Sequence, residues 1–305
     1  MTALTRTNDD DARSRSESGA ALDDVTWTRL SVWRDLIEAL DRDLRRDLSN
    51  VRELLDPLPL SVWGQLLLSR ERLLGRADIF LPRLPDEETQ VAWTGLSGER
   101  LLRQSLAFTQ QIASACGMHG IDLRAARVLD FGVGWGRIAM LLLKYVRPSD
   151  LVGCDAWESS LALARSSGIG CDLVLSDPNL EELPCPEASK DVVCASYVFT
   201  SLGERPFLSC LAGIGAILRP GGVLVFNVRP PEFWTLRPDL PGASSDAQTS
   251  AFYFQRHEQH PEYGDTSASR RFVDEACAMA GLERPSFEWN PADPHQYLVI
   301  ARRRS

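Results

Sequence analysis

Lysine is nearly missing from this 305-residue chain: Lys144 and Lys190 are the only two among 33 basic residues, set against 42 acidic ones. The formal net charge of −9 leaves no broad cationic face, and gripping a nucleic-acid backbone depends on clustered cations. No nucleic-acid partner is therefore expected. The one plain basic cluster, Arg302-Arg303-Arg304, reads as solvation of the terminus. The preference for arginine over lysine is a codon bias that suggests a GC-rich bacterial genome, not a functional sign.

Other absences narrow the field further. No run of eighteen apolar residues occurs, so no membrane-spanning segment and no membrane partner are expected. Residues 1–20 are polar and charged with no apolar stretch. They are expected to form a disordered tail and not a signal peptide. The seven cysteines include no Cys-x-x-Cys pair and no histidine at ligand spacing, so no metal site is expected. Several of them, Cys154 and Cys194 included, fall in apolar runs and read as small core residues in a reducing, cytoplasmic compartment.

What is present concentrates at Val128-Leu129-Asp130-Phe131-Gly132-Val133-Gly134-Trp135-Gly136-Arg137. Two apolar residues read as the end of a buried strand, and Ile138 to Leu143 read as the apolar face of a helix. Three alternating glycines between them allow backbone N–H groups to approach a ligand closely. The spacing is Gly-x-Gly-x-Gly, and not the Gly-x-Gly-x-x-Gly of dinucleotide-binding folds. Asp130 at the strand's tip would repel a pyrophosphate and attract an ammonium group. S-Adenosylmethionine carries an ammonium and a sulfonium and no phosphate, so the turn suits it better than NAD.

The following elements fall in register with that cofactor. Leu151 to Asp155 is a short apolar strand ending in a carboxylate, nineteen positions after Gly136, where an acid can accept hydrogen bonds from both ribose hydroxyls. Trp157 reads equally as a cover on the adenine face or as packing for the next helix. A third strand, Cys171 to Leu175, leads to Ser176-Asp177, and Asp177 is a candidate acceptor for the adenine amine. The fourth strand, Asp191 to Ser196, runs into Tyr197-Val198-Phe199-Thr200-Ser201-Leu202. The fifth, Val223 to Val228, follows the helix end and turn expected at Leu218-Arg219-Pro220-Gly221-Gly222.

From about Arg127 to Arg302 the chain resembles the class I S-adenosylmethionine-dependent methyltransferases. The resemblance implies an α/β, Rossmann-like fold: a mostly parallel seven-stranded sheet of order 3-2-1-4-5-7-6, strand 7 antiparallel, with helices added at the N-terminus. Its last hairpin would be formed by a strand near Phe287-Glu288-Trp289 and another over Gln296 to Ala301. It further implies that Asp130, Gly132, Gly134 and Gly136 hold the methionine portion, Asp155 the ribose and Asp177 the adenine amine. Ser196 and Tyr197 would line the pocket floor, with Phe131 and Ala156 counted among the cofactor-binding residues. Leu183-Pro184-Cys185-Pro186 is similar to the family's Leu-Pro-Phe-Pro segment. Members with a Phe-Thr-His-Leu stretch carry a histidine where this chain has Ser201, so no base is transferred to that position.

Three units are expected: the tail at 1–20, a helical region at 21–115, and a cofactor domain at 116–305 with a substrate-side insertion at 229–267. Leu36, Leu40, Leu44 and Leu48 have helical spacing; Asp56-Pro57-Leu58-Pro59 should break that helix, and Ser61 should cap the next. A linker over Leu81 to Asp86 precedes a helix expected from Gly98 to Gly117. The helical region reads equally as a lid and as a packing element or homodimer contact. The insertion reads as a long loop with a flexible hinge at Gly-Ala-Ser-Ser-Asp. Its aromatic run Phe252-Tyr253-Phe254 and its His257, His260, Tyr263 and Asp265 place the acceptor there.

A hydroxyl acceptor benefits from a general base, and His257 and His260 are the candidates because imidazole titrates near neutrality. Asp265 and Tyr263 are weaker ones. The Asn-Pro-Pro-aromatic motif of amine- and amide-directed enzymes is absent after the fourth strand, which tilts the reading to oxygen. The reading is a methyltransferase with S-adenosyl-L-methionine as cofactor and a small-molecule acceptor, a hydroxyl of a sugar or other natural product. Its rivals are an NAD(P)-dependent oxidoreductase and a non-catalytic cofactor-binding module that acts through a partner.

Overall fold

A computed structural model describes residues 51–69, 81–177, 183–240, 243–258, 263–290 and 293–305. The expected tail, the leucine repeat at 36–48 and His260 lie outside the described residues. Strand β1 (Val128–Phe131) is buried at every position. It pairs in parallel with β2 (Leu151–Asp155) on one side and β4 (Lys190–Ala195) on the other. A strand covered on both faces in this way needs a continuous apolar run and not alternation. Strands β3 (Asp172–Leu175) and β5 (Leu218–Val228) extend the parallel sheet.

Two further strands, β6 (Phe252–Arg256) and β7 (Gly264–Ala268), form a separate antiparallel hairpin, and β8 (Ser286–Trp289) and β9 (Tyr297–Arg302) complete the main sheet. The sheet order is β3-β2-β1-β4-β5-β9-β8, with β9 antiparallel to β5 and to β8. Since β8 and β9 are the sixth and seventh strands of the main sheet, this is the 3-2-1-4-5-7-6 order expected from the sequence.

One face of the sheet is covered by helices that precede it. After α1 (Val51–Leu55), α2 (Leu60–Leu68) and the acid-capped α3 (Glu87–Thr94) comes α4 (Gly98–Met118). It buries Leu101, Ser105, Phe108, Ile112 and Ala115, a three-and-four spacing that places them on one face. With α2 it packs against α5 (Arg137–Leu142). Trp63 of α2 is wholly buried and donates its indole N–H to the Met140 carbonyl at 2.9 Å. Helix α6 (Glu158–Ser166) joins β2 to β3. On the opposite face lie α7 (Glu204–Ile217) and α10 (Arg270–Met279), packed on Leu129, Phe131, Leu224 and Phe226.

Local expectations fail at three points, each for a physical reason. Pro59, not Ser61, stands at the N-cap of α2, and Ser61 is exposed inside the helix. Pro59 itself stays extended, with ψ 150°, and the helix begins at the residue after it, one position before Ser61. The Leu218–Gly222 turn is absorbed into β5. Helix α7 ends at Ile217, Leu218 pairs with Lys190, and the register slips between Lys190 and Val192.

The insertion at 229–267 is not a loop. It contains α8 (Phe233–Leu236), α9 (Ser245–Thr249) and the β6–β7 hairpin. Ser244, in the expected hinge, caps α9 by accepting from the Ala247 N–H at 3.2 Å. The hairpin is tied to the segment after β4, because Gly264 and Thr266 donate to the Ser201 and Thr200 carbonyls at 3.1 and 3.0 Å. Trp234 anchors the base, fully buried with its N–H on Ser267 Oγ at 2.8 Å.

Candidate active site

The glycine turn after β1 is held against β2 by two hydrogen bonds, Gly132 and Val133 N–H to the Cys154 carbonyl, both 2.9 Å. Gly136, with φ +94°, caps α5; a Cβ there would stand 1.9 Å from Ile169 Cδ1. Gly134, with φ +55°, has nothing within 4 Å of a built Cβ. Gly136 is needed for packing, and Gly134 leaves the backbone bare to a ligand.

That bare backbone faces a cavity of about 890 Å³ at the carboxyl ends of β1, β2, β4 and β5, where open α/β sheets place their ligands. Asp130, Phe131, Gly132, Gly134, Asp155, Ala156, Ser196 and Tyr197 line it. Gly136 does not: it lies behind the turn against Ile169. Asp177 does not line it either. It is exposed, and the wall at that point is Ser176, buried and with its N–H on the Asp155 carbonyl at 2.9 Å. Strand β3 stops at Leu175, and of the two residues that follow, the serine points inward and the aspartate to solvent.

Two carboxylates stand on the β1–β2 side of the cavity, in opposite states. Asp155 is engaged on both oxygens, accepting from the Gly134 N–H at 2.9 Å and the Trp157 N–H at 3.0 Å. It braces the turn as well as facing the cavity. Asp130 is 1 % exposed. Its Oδ1 meets the Cys194 thiol at 3.6 Å, and its Oδ2 has no hydrogen-bond partner among the described residues. Burial pushes the Asp130 carboxyl up to about 7, since desolvation disfavours the ionised form. Cys154 and Cys194 are fully buried in the strands beside it, as their apolar runs implied.

Sequence reasoning missed a cation beside the glycine turn. Arg137, the first residue of α5, donates to Ser105 Oγ and Ser196 Oγ, each at 3.0 Å, and lies near Gln104 Oε1 at 3.5 Å. Its guanidinium carbon stands 5.4 Å from the Tyr197 ring centroid. Among the described residues it forms no salt bridge, and burial lowers its pKa. A guanidinium held by neutral oxygens at a cavity wall is a place for an anion. The only sequence signal was its position directly after the third glycine; its partners lie 32 and 59 positions away.

Tyr197 carries φ +66°, a region that non-glycine residues seldom occupy. Its hydroxyl donates to Asp293 Oδ2, which also accepts from Gln296 Nε2 at 3.0 Å. Burial and the Asp293 carboxylate raise the phenol's pKa, so Tyr197 is an orienting group and not a base.

The far wall is aromatic and basic. Trp93 of α3, Trp157 after β2 and Tyr263 at the start of β7 meet edge to face, with ring centroids 6.1 and 4.8 Å apart. Phe254, Glu204, Arg205, Arg229 and Arg256 continue the lining. His257 is not part of it. Its Nε2 stands 3.1 Å from Asp265 Oδ2, with half the side chain exposed, and Asp265 also holds Arg229 at 2.6 Å. Of the proposed bases, then, His257 and Asp265 are engaged with each other behind the cavity, and Tyr263 lines it.

The β1–β2 side fits an amino-acid head joined to a nucleoside. The unpartnered Asp130 Oδ2 suits an ammonium, Arg137 a carboxylate, the bare Gly134 backbone close approach, and Asp155 hydroxyl donors. Similarity to known proteins agrees. Residues 128–222 match the family described as a methyltransferase domain. Among curated relatives, the chain is 28% identical over 107 residues to demethylmenaquinone methyltransferase of Thermus thermophilus, covering 34% of this chain and 48% of that one. It is 30% identical over 116 residues to malonyl-[acyl-carrier protein] O-methyltransferase of Methylococcus capsulatus, covering 36% and 40%. It is 26% identical over 113 residues to tRNA N(3)-methylcytidine methyltransferase Mettl2 of Drosophila melanogaster, covering 34% and 35%. The matched stretch thus spans half or less of each relative's length.

Proposed function

We propose that the protein, whose residues 128–222 match a methyltransferase-domain family, is a class I S-adenosylmethionine-dependent methyltransferase that transfers a methyl group to an oxygen of a small molecule held in the cavity described above. The observation that supports this reading is continuity: one space of about 890 Å³ reaches from Asp130 and Gly134 to Arg229 and Tyr263. At about 890 Å³ it lies near the top of the roughly 300–1,000 Å³ range of ligand pockets, and its lining runs beyond the residues that would face the cofactor. The Trp93–Trp157–Tyr263 contacts wall that space with apolar rings. By their names the relatives' acceptors are demethylmenaquinone, a malonyl-[acyl-carrier protein] and a tRNA cytidine, so acceptor class rests on this chain's own cavity.

When bound, S-adenosylmethionine supplies an electrophilic methyl on its sulfonium. Asp130 would hold the ammonium and Arg137 the carboxylate of its head, Asp155 the ribose hydroxyls, and Ser196 and Tyr197 the floor. The acceptor would be oriented by Tyr263, Thr200, Ser201 and Arg229, which line the other side. Such alignment contributes up to about 7–11 kcal/mol in well-oriented reactions, more than the roughly 10²–10⁴-fold acceleration that a general base supplies. Catalysis here is assigned to positioning, with His257 bound to Asp265 outside the cavity.

The test is calorimetric titration with S-adenosylhomocysteine, with NAD and NADP as controls, followed by an acceptor screen with labelled methyl donor. Saturable one-site binding of S-adenosylhomocysteine and label transfer to a hydroxyl compound support the reading. Binding without transfer to any small acceptor favours a module that works through a partner. Absence of binding overturns the site.

A further inference from the structure

The cavity is divided by charge along the sheet. On the β1–β2 side Asp130 and Asp155 outnumber the one cation there, Arg137; on the β4–β5 side, with the hairpin, stand Arg205, Arg229 and Arg256, and among the described residues Glu204 is the only carboxylate lining that side. Counting Asp265 behind Arg229, the basic wall keeps a net positive charge, in a chain whose formal charge is −9. A local field opposite in sign to the whole molecule selects what enters.

Arg229 is the innermost of the three. It directly follows β5, its side chain is 17% exposed, and its guanidinium carbon lies 4.6 Å from the Phe233 ring centroid. One nitrogen, Nη1, makes both of its hydrogen bonds, to the Thr200 carbonyl at 3.0 Å and Asp265 Oδ1 at 2.6 Å. Among the described residues Nη2 and Nε make none. An orientation fixed through one nitrogen leaves the opposite edge of the fork, which matches a carboxylate or phosphate in two parallel bonds.

Resting on the methyltransferase reading above, we propose that the acceptor is a small organic anion, anchored by a carboxylate or phosphate on the free edge of Arg229, with Arg205 and Arg256 nearer solvent. Its apolar body lies against Phe254 and Tyr263. The anchor is not the methylated atom: a guanidinium fork fixes its two oxygens in place and draws off their charge, which makes them poor nucleophiles, so the reacting oxygen is elsewhere on the molecule.

The experiment titrates protein saturated with S-adenosylhomocysteine with 4-hydroxybenzoate, phenyl phosphate and neutral 4-hydroxybenzamide. The expected result is that at least one anion binds about tenfold or more tightly than the amide. The preference should vanish in Arg229→Gln, persist in part in Arg229→Lys, and weaken in Arg256→Gln, with S-adenosylhomocysteine affinity unchanged in all three. Preference for the acid separates a carboxylate anchor from a phosphate one. Equal binding of amide and acids, no binding of either acid, or a preference that survives Arg229→Gln overturns the proposal. Failure of S-adenosylhomocysteine to saturate the protein overturns the methyltransferase reading instead, so the two failures are distinct.

Discussion

The Tyr197 hydroxyl donates to Asp293 Oδ2 at 2.5 Å across 96 positions of chain, and it does so from a left-handed backbone with φ +66°. A conformation of that kind costs on the order of 1–3 kcal/mol and persists only where surrounding contacts over-determine it. Here they come from four segments: Arg137 beside the ring, Ser196 and Gln104 on Arg137, and Gln296 on Asp293. Tyr197→Phe should therefore cost about 1.5–3 kcal/mol, the range for a hydrogen bond to a charged group. In a double-mutant cycle with Asp293→Ala, urea unfolding should give a coupling of about 1 kcal/mol or more. Additive effects would mean that the pair does not hold the strained residue.

Arg137 leads to a prediction about ligand parts. Without it, the amino-acid head loses its carboxylate partner while the nucleoside end is untouched. Arg137→Met should weaken S-adenosylhomocysteine by roughly 10–100-fold, the equivalent of about 1.5–3 kcal/mol. It should leave the affinity for 5′-methylthioadenosine, which lacks that head, as in the unaltered protein. Equal losses for both ligands would make Arg137 a structural residue only.

Asp130 predicts a pH dependence. Its pKa, raised to about 7 by burial, means that the ligand-free protein holds a proton there in mild acid. An ammonium group binds the ionised form, so affinity for S-adenosylhomocysteine should fall about tenfold per pH unit below 7 and level off above it. Stability has the opposite sign. A carboxyl whose folded pKa is raised contributes stability at low pH, and this is lost as pH climbs from its unfolded value near 4 through about 7. Asp130→Asn should flatten both curves, and calorimetry together with thermal unfolding across that range checks it.

Much of the fold was legible because its signals are local. Buried parallel strands read as short apolar runs, and the glycine turn announces itself within five residues. The insertion was misread for the reason that its order is tertiary: Phe252-Tyr253-Phe254 pairs only once Gly264 and Thr266 are tied to the carbonyls after β4. Arg137 and Asp293 were invisible as site residues because their partners lie tens of positions away. Asp177 misled because sequence position cannot tell which of two adjacent residues, Ser176 or Asp177, turns inward at a strand's end. His257 has the right chemistry, but Asp265 satisfies it outside the cavity.

Two of the three glycines of the turn, Gly134 and Gly136, alike in sequence, should fail differently when altered. Alanine at Gly136 sets a methyl group 1.9 Å from Ile169 Cδ1 at φ +94°, so clash and left-handed strain both fall on the folded state. The strain alone is about 1–2 kcal/mol. Gly136→Ala should lower the melting temperature by several degrees, and reduced affinity should follow from that. Gly134 has open space around its Cβ, so Gly134→Val carries the strain without the clash and stays folded. Its branched side chain would occupy the space where the backbone is bare, and affinity for S-adenosylhomocysteine should be lost. Asp155→Ala combines the two effects, since its carboxylate holds the Gly134 N–H at 2.9 Å. It should lose more affinity than Asp155→Asn, which keeps one acceptor oxygen for the turn. If Gly134→Val binds S-adenosylhomocysteine as the unaltered protein does, the ligand does not lie against this turn.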